Sequence, residues 1–535
     1  MSRSKFYCRP RFFLALSALV GTAALGVYFF RSVHVYRDVA YCYAYAVREA
    51  AVHGNWSYVL DPGLPMLNMA LGALVALTGV EARHAVMLVG GAFYILAIFP
   101  LYFLLKRFVS PLAASLGCLI FILTPKVMRF HCSGLLESAR DFFFIASLLM
   151  LFRLSERKNF ANLALFALSL TGLALARAES IVIACCFILL LPLRDLWSYR
   201  HSFTAGKFCR SLLLCLAAGL LLLAFVSPKL AYNFRKTGYP TVDTRFNPYL
   251  NALFKWDRFV SPPPDAVPAD TLSSSASALK NGKFAWGENI LSLFENLLRG
   301  GYELYWGVAI IGILLCVFRL SKRVYEFCGI EPPPLVKQGW RWEYTAFVVL
   351  TLAHCALYYA NGNAYRYYTF IVPLLIPFML VALHLAVNLT KKAPRKYLLP
   401  AALAVGGILL AVVQFDNGVS PAFTGEQEWK AGCFLKDHAD SFRRPERERV
   451  RVMTKSHRIC FFSGFEYANS SLNSKSKELA AREGDFDLAV FDADEDPSVI
   501  ENVTEKYDLA EWDKHPFPYM KVFVPRNRRG IDGGR

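Results

Sequence analysis

The sequence predicts a mainly α-helical, polytopic membrane bundle followed by a small extracytoplasmic α/β domain. Of its 535 residues, 55% are hydrophobic and only 19% charged, where soluble domains carry roughly a quarter charged. Apolar runs about long enough to cross roughly 30 Å of hydrocarbon recur up to residue 414. Beyond that point the chain becomes charged, with short alternating segments.

The first run, Phe12 to Phe30, follows Arg3, Lys5, Arg9 and Arg11. Its apolar core is too long for a signal peptide and no small-x-small cleavage site follows. It reads as an uncleaved anchor with a cytoplasmic N-terminus. Further spans are expected at 84–105, 111–127, 138–153, 160–176, 178–193, 208–228, 303–320, 344–361, 366–388 and 397–414.

One more run, "GLPMLNMALGALVALTGV" at 63–80, is long enough to cross on length alone. Loop charge decides against it. If it crosses, Lys106 and Arg107 and every later basic loop fall outside. If it stays at the outer face, "RLSERK" at 153, "RDLWSYRHSFTAGKFCR" at 194, "RLSKRV" at 319 and "KKAPRK" at 391 all fall inside, as the positive-inside bias requires. The expected arrangement is therefore about eleven spans with 63–80 a re-entrant or interfacial helix, tolerated where its ends are buried in protein. The segments 31–83, 126–137, 177–179, 229–302 and 361–366 then share the outer side with the tail. The loop 229–302 holds the Pro/Ser/Ala-rich stretch "SPPPDAVPADTLSSSAS".

The domains are expected at 1–414 and 415–535. In the tail, "RVRVM" (449–453), "RICFF" (458–462), "DLAVF" (487–491) and "KVFV" (521–524) read as strands. "TGEQ" at Thr424 resembles a capping box, and Pro497 opens a helix. No catalytic set is visible there. "DADED" at 492–496 invites a metal reading, but acids between a strand and a Pro-started helix are what the helix dipole favours.

The net charge of +18 does not indicate nucleic acid, because the basic residues cluster in short loops between apolar runs. Thirteen cysteines form no CxxC or Cys/His ligand set, so no zinc site is expected. Cys433 and Cys460 are the pair available for a disulfide. His354, inside a span, reads as a packed polar residue. The sequons at Asn55, Asn469 and Asn502 are short enough to occur by chance.

The polar residues that could carry chemistry gather on the outer side. Asp38 lies just past the first span, in "VHVYRDVAYCYAYAVREA". Glu137, Arg140 and Asp141 stand at the outer start of another span, the two acids one turn apart. Taken singly, each could be a cap or a surface acid.

The order of "YRDVAY", "DPGLPMLN", "GVEARHAVMLVGG", "TPKVMRFHCSGLLESARD", "GLALARAES", "YNFRKTGYP" and "AYRYYTFIVPLL" resembles the integral-membrane GT-C glycosyltransferases. It resembles specifically the bacterial branch similar to protein O-mannosyltransferases and the lipid A aminoarabinose transferase. The resemblance covers most of 12–420. It implies that Asp38 is the catalytic base and Glu137 a second catalytic acid, with Asp141 in reserve. It further implies that Arg83, Arg177, Arg366 and Tyr367, with Asp141, bind substrate near the lipid phosphate. Val39 stands where many members carry a second acid, and the family's proline pair is reduced to Pro62 and Pro65.

The implied reaction moves a sugar from a polyprenyl-phosphate donor to a hydroxyl of a lipid, polysaccharide or protein, on the outer face of the inner membrane and with inversion. No cofactor is expected to be required; a divalent metal is left open but is not indicated by the sequence. A transporter or flippase would instead place ionisable residues near mid-membrane in broken helices. A ligase or polymerase of surface polysaccharide would use a similar donor with longer transferred chains.

Overall fold

The computed structural model describes residues 10–31, 43–60, 66–177, 179–198, 205–242, 286–317, 320–328, 331–333, 336, 342–361, 365–391, 408–416, 426–444, 448–454, 459, 462–467, 486–492 and 497–526. The chain divides into two compact units. One comprises Met1–Phe30, Val59–Leu71 and Met87–Ser420; the other comprises Arg31–Tyr58, Gly72–Val86 and Pro421–Arg535. The tail is thus grouped with two earlier segments, Arg31–Tyr58 and Gly72–Val86, which a simple cut at 414 leaves out.

The first unit is helical. Among the described residues, four helices are long and apolar enough to cross a membrane: Pro10–Phe30, Ala82–Leu105, Phe208–Lys236 and Ile371–Leu389. Two bent pairs raise the number to six. Helices Glu137–Glu156, Phe160–Ala176, Ser180–Ser198 and Trp342–Asn361 cover other expected spans. These apolar helices make the chain a multi-pass membrane protein. The helix Met66–Ala76 has 11 residues, about 16 Å at 1.5 Å per residue, too short to cross the hydrocarbon.

One expected span is broken, and another is entered through a sharp turn. The run 111–127 splits into Pro111–Leu123 and Pro125–Cys132, which meet at 63°. Pro125 is the reason: it lacks an N–H and excludes helical backbone at the preceding residue, and Thr124 is extended (φ −67°, ψ 114°). The run 303–320 begins at Glu303 after a 90° turn from the helix Ser292–Gly300, where Tyr302 takes φ 63°. Helix Ile371–Lys391 starts later than the expected 366, because Tyr365–Tyr368 form a 3₁₀ turn. Of the span expected at 397–414, the structure describes a helix over 408–416.

Close packing holds these helices. A Cβ on Gly312 would lie 1.9 Å from the Phe378 carbonyl oxygen, so only glycine lets helix Glu303–Val317 seat on Ile371–Lys391. Phe108, Phe152 and Phe347 interlock near the other helix ends, with Phe108 to Phe347 centroids 5.7 Å apart. His354 is buried and stacks on Phe370 at 3.8 Å.

The second unit holds a five-stranded sheet in the order β2-β1-β3-β5-β4. Its strands are β1 (Arg451–Thr454), β2 (Glu466–Tyr467), β3 (Leu488–Asp492), β4 (Leu509–Glu511) and β5 (Met520–Pro525). β1 runs parallel to β2 and β3, while β5 is antiparallel to β3 and β4. Met453, Ala489, Phe491 and Phe523 bury one face together with Ile500 and Val503 of helix Pro497–Lys506.

Of the stretch 458–462, expected as a strand, the structure describes Ile459 and Phe462, and neither is extended. Ile459, Phe462 and Ser463 are helical, and the chain turns through Gly464 at φ 76° before β2 begins. Its apolar side chains are used otherwise: Ile459 is buried, and Gly432 of helix Glu426–Asp437 approaches Phe462 so closely that a Cβ would come within 2.6 Å. Cys460, and residues 493–496 of "DADED", lie outside the described residues.

The helix Ala44–His53 belongs to this unit and ends on Gly54 in left-handed backbone. Glu49 accepts two hydrogen bonds from Arg449, at 2.9 and 3.1 Å. Arg48 donates to the Phe465 carbonyl at 3.4 Å.

Candidate active site

Glu137 opens its helix and sits in the first turn, where the free N–H groups favour a negative side chain. One turn on, Arg140 and Asp141 are both fully buried. Burying an ion pair costs several kcal/mol per ion unless every remaining polar atom is satisfied, so their partners decide what they do.

Arg140 donates from Nε to Asp141 Oδ1 at 2.8 Å, from Nη1 to the Tyr367 carbonyl at 2.8 Å, and from Nη2 to Thr369 Oγ1 at 2.7 Å. Thr369 Oγ1 donates in turn to Asp141 Oδ2 at 2.7 Å, and His131 Nε2 lies 3.1 Å from the same oxygen. Gly90 makes room for this arrangement, since a Cβ there would come within 2.8 Å of the His131 carbonyl. The inner network therefore ties three chain segments together: the end of the bent helix Pro125–Cys132, the start of Glu137–Glu156, and the turn before Ile371–Lys391. Both Asp141 oxygens are engaged by protein groups.

A second layer of charge lies beside it. Arg177 follows the helix Phe160–Ala176 in extended backbone, which turns its side chain out of the helix. Its Nη1 donates to Glu137 Oε1 at 3.1 Å and its Nη2 to Glu179 Oε1 at 3.3 Å. Arg366 Nε stands 3.9 Å from the same Glu137 oxygen. The Tyr367 ring lies under both guanidiniums, 4.1 Å from Arg177 and 5.1 Å from Arg366, and its hydroxyl accepts from Arg366 Nη2 at 3.2 Å.

Exposure separates the roles. Side-chain exposure is 2% for Glu137, 8% for Arg177 and 18% for Arg366. The cluster thus has a buried acid and one arginine edge that solvent can reach. Glu137 Oε2 is buried with no hydrogen-bond partner among the described residues. Buried carboxylate oxygens are nearly always bonded, so a donor from outside the protein would suit this one. Two guanidiniums held over one ring, beside such an oxygen, can receive an anion and a hydroxyl together.

Five residues singled out from the sequence converge here: Glu137, Asp141, Arg177, Arg366 and Tyr367. Arg83 lies in the second unit, where its Nε is 2.7 Å from Glu81 Oε1. Asp38 lies outside the described residues. Sequence reasoning left His131, Thr369 and Glu179 out of the site. Glu179 had a signal, two residues from Arg177 at a corner expected on the outer side. His131 and Thr369 had none, because only the fold brings them to Asp141.

No family model matches the sequence, and no curated protein matches it significantly. Solved structures do. The oligosaccharyltransferase of Archaeoglobus fulgidus in its apo form gives a TM-score of 0.58 at 13% identity over 96% of this chain and 70% of that one. The same organism's AglB, in complex with an inhibitory peptide and a dolichol-phosphate, gives 0.54 at 11% identity over 94% and 71%. ArnT from Cupriavidus metallidurans bound to undecaprenyl phosphate gives 0.56 at 12% identity over 96% and 97%. At such identities the likeness establishes the fold, which is that of the GT-C membrane enzymes.

Proposed function

We propose that this chain is a membrane glycosyltransferase that moves a sugar from a polyprenyl-phosphate donor to a hydroxyl acceptor at the outer face of the membrane. The observation that carries the reading is the Glu137–Arg177–Arg366 cluster, built from three chain segments on a GT-C fold and including a buried carboxylate oxygen without a partner. The solved ArnT is bound to undecaprenyl phosphate and AglB to a dolichol-phosphate, which supports a lipid-phosphate donor here.

In this reading Arg366, the more exposed cation, meets the donor phosphate first and Arg177 backs it. As the bond from the anomeric carbon to the phosphate oxygen breaks, negative charge grows on the departing phosphate. Guanidiniums already oriented by Tyr367 and Glu137 stabilise that charge without reorganising. The acceptor oxygen attacks the anomeric carbon from the opposite side and its proton passes to a carboxylate, for which Asp38 is the candidate. The phosphate leaves with the electron pair, and one displacement inverts the configuration. Glu137 Oε2 accepts a hydrogen bond from a bound hydroxyl. Asp141, saturated by Arg140, Thr369 and His131, holds the turn that presents Arg366 and Tyr367. Arg83 keeps its expected contact with the lipid phosphate on the sequence alone. The acceptor is a lipid, polysaccharide or protein, and the transferred group a hexosyl or pentosyl unit.

The test is transfer by the purified full chain in detergent or nanodiscs, offered a panel of polyprenyl-phosphate sugars and envelope acceptors. Release of polyprenyl phosphate with a glycosylated product of inverted configuration is expected. Failure with every sugar, by protein whose fold is intact, would refute the reading.

A further inference from the structure

The helix Ala44–His53 starts shortly after Asp38 in the chain, and it is gripped by the tail. Glu49, 3% exposed at its side chain, receives two bonds from Arg449 at 2.9 and 3.1 Å. The neighbouring Arg48 donates to the Phe465 carbonyl at 3.4 Å. The two tail residues are far apart in sequence but adjacent in space. Arg449 just precedes β1 and Phe465 just precedes β2, and those strands run parallel with Arg451 opposite Glu466. The common end of the β1–β2 pair therefore presents both partners to consecutive residues of one helix.

The helix is packed as well as bonded. Gly72 faces Val47, and a Cβ on Gly72 would come within 3.0 Å of the Val47 side chain. Tyr45 is buried and meets Tyr58 edge to face at 5.5 Å. A solvent-exposed ion pair would contribute little. This one is bidentate with a buried acid, the arrangement in which orientation is enforced as well as charge.

We propose that Arg449 and Glu49 are positioning residues, through which the tail holds the outer helix after Asp38 in the geometry that sugar transfer needs. The inference rests on the glycosyltransferase reading with Asp38 as base. It makes the tail part of the transfer machinery rather than an appended domain. A general base displaced by an ångström loses turnover steeply, while a donor held by arginines elsewhere in the chain keeps its affinity.

The experiment compares the full-length wild type with R449A, R449K and E49Q at matched folded fraction, by steady-state transfer and by hydrogen exchange. R449A and E49Q are expected to lower kcat about 10- to 100-fold with donor KM within about twofold. R449K, which keeps the charge but not the fork, should fall between R449A and wild type. Amide exchange in Ala44–His53 should accelerate in R449A, with the strands β3 and β5 unchanged. Unaltered exchange in that helix would overturn the clamp whatever the activity. Wild-type turnover in R449A, in an enzyme that transfers, would overturn the positioning role alone. A wild type inactive with every donor would instead remove the functional reading, and this inference with it.

Discussion

Arg177 reaches Glu137 from the far end of a neighbouring helix, Nη1 to Oε1 at 3.1 Å, with both side chains nearly buried. A buried carboxylate stripped of its cation costs about 3–5 kcal/mol. Arg177→Ala should therefore lose both stability and transfer. Arg177→Lys should recover much of the stability but little transfer, because an ammonium cannot fork between Glu137 and Glu179 or lie flat on Tyr367. Arg366→Ala, at the exposed edge, should leave stability nearly unchanged and weaken donor binding by about 2 kcal/mol, roughly 30-fold. Thermal unfolding and donor titration on the three variants separate these outcomes. Tight donor binding by Arg366→Ala would move the phosphate elsewhere.

Asp141 presents the opposite balance. It is fully buried and its oxygens meet Arg140, Thr369 and His131. Asp141→Asn should destabilise the fold by about 3–5 kcal/mol, because Arg140 is left buried without its counter-charge. Donor affinity in the protein that remains folded should change far less. A variant with the wild-type melting temperature but no donor binding would mean that the carboxylate contacts substrate itself.

The helical membrane architecture was legible because apolar runs of this length have few alternatives. Convergence was legible for the five residues that lie at span ends, because loop charge predicts one side for all of them. The inner network was not, since His131 and Thr369 are ordinary residues whose meeting with Asp141 depends on a bent helix and a 3₁₀ turn. The bend at Pro125 had a readable cause in the proline, yet the run around it is apolar enough to pass as one span. "RICFF" reads as a strand, yet its described residues Ile459 and Phe462 are helical, a difference that periodicity over five residues cannot distinguish. The tail's tie to the helix Ala44–His53 joins residues 400 positions apart, beyond the reach of local pattern.

On the side expected to be cytoplasmic, Asp195 lies past the apolar part of its helix and receives Lys158, Ser211 and Arg194, the last at 2.7 Å. Burial pushes its carboxyl up, but the bonds from Lys158, Ser211 and Arg194 outweigh burial and hold the pKa below the usual range. A depressed folded pKa contributes stability that is fully present above the unfolded value near ~3.9 and lost as pH falls through the folded one. Asp195→Asn should lower the unfolding temperature by several degrees at neutral pH, for about 1–3 kcal/mol of charge-assisted bonding. The gap from wild type should narrow below about pH 4. A gap that widens in acid would contradict the assignment.

The loop charges predict an orientation that labelling can check. Single cysteines at positions 106 and 392, in a background lacking reactive native thiols, should resist a membrane-impermeant maleimide in intact cells. Cysteines at 247 and 475 should react. The short helix Met66–Ala76 is the pivot, because a crossing there would invert every later loop. Its 11 residues cover only about half the hydrocarbon thickness. Labelling of position 106 from outside would show that the chain crosses at 63–80 after all.

Asp38 carries the strongest chemical expectation. A base must be within reach of the acceptor hydroxyl, and Asp38 follows the first span on the side where the arginine cluster is expected. Asp38→Asn preserves size and hydrogen bonding while removing the basic oxygen, so turnover should fall by about 10²–10⁴-fold. Donor binding should hold, because guanidiniums rather than Asp38 meet the phosphate. Glu137→Gln should differ in kind. It weakens the hold on Arg177 and Arg366, so loss of donor affinity should accompany loss of turnover. Measuring kcat and donor affinity side by side for the two variants separates a base from a phosphate-site organiser. If Asp38→Asn turns over near the wild-type rate, the proton goes elsewhere, and Glu137, with its unpartnered Oε2, becomes the leading acceptor.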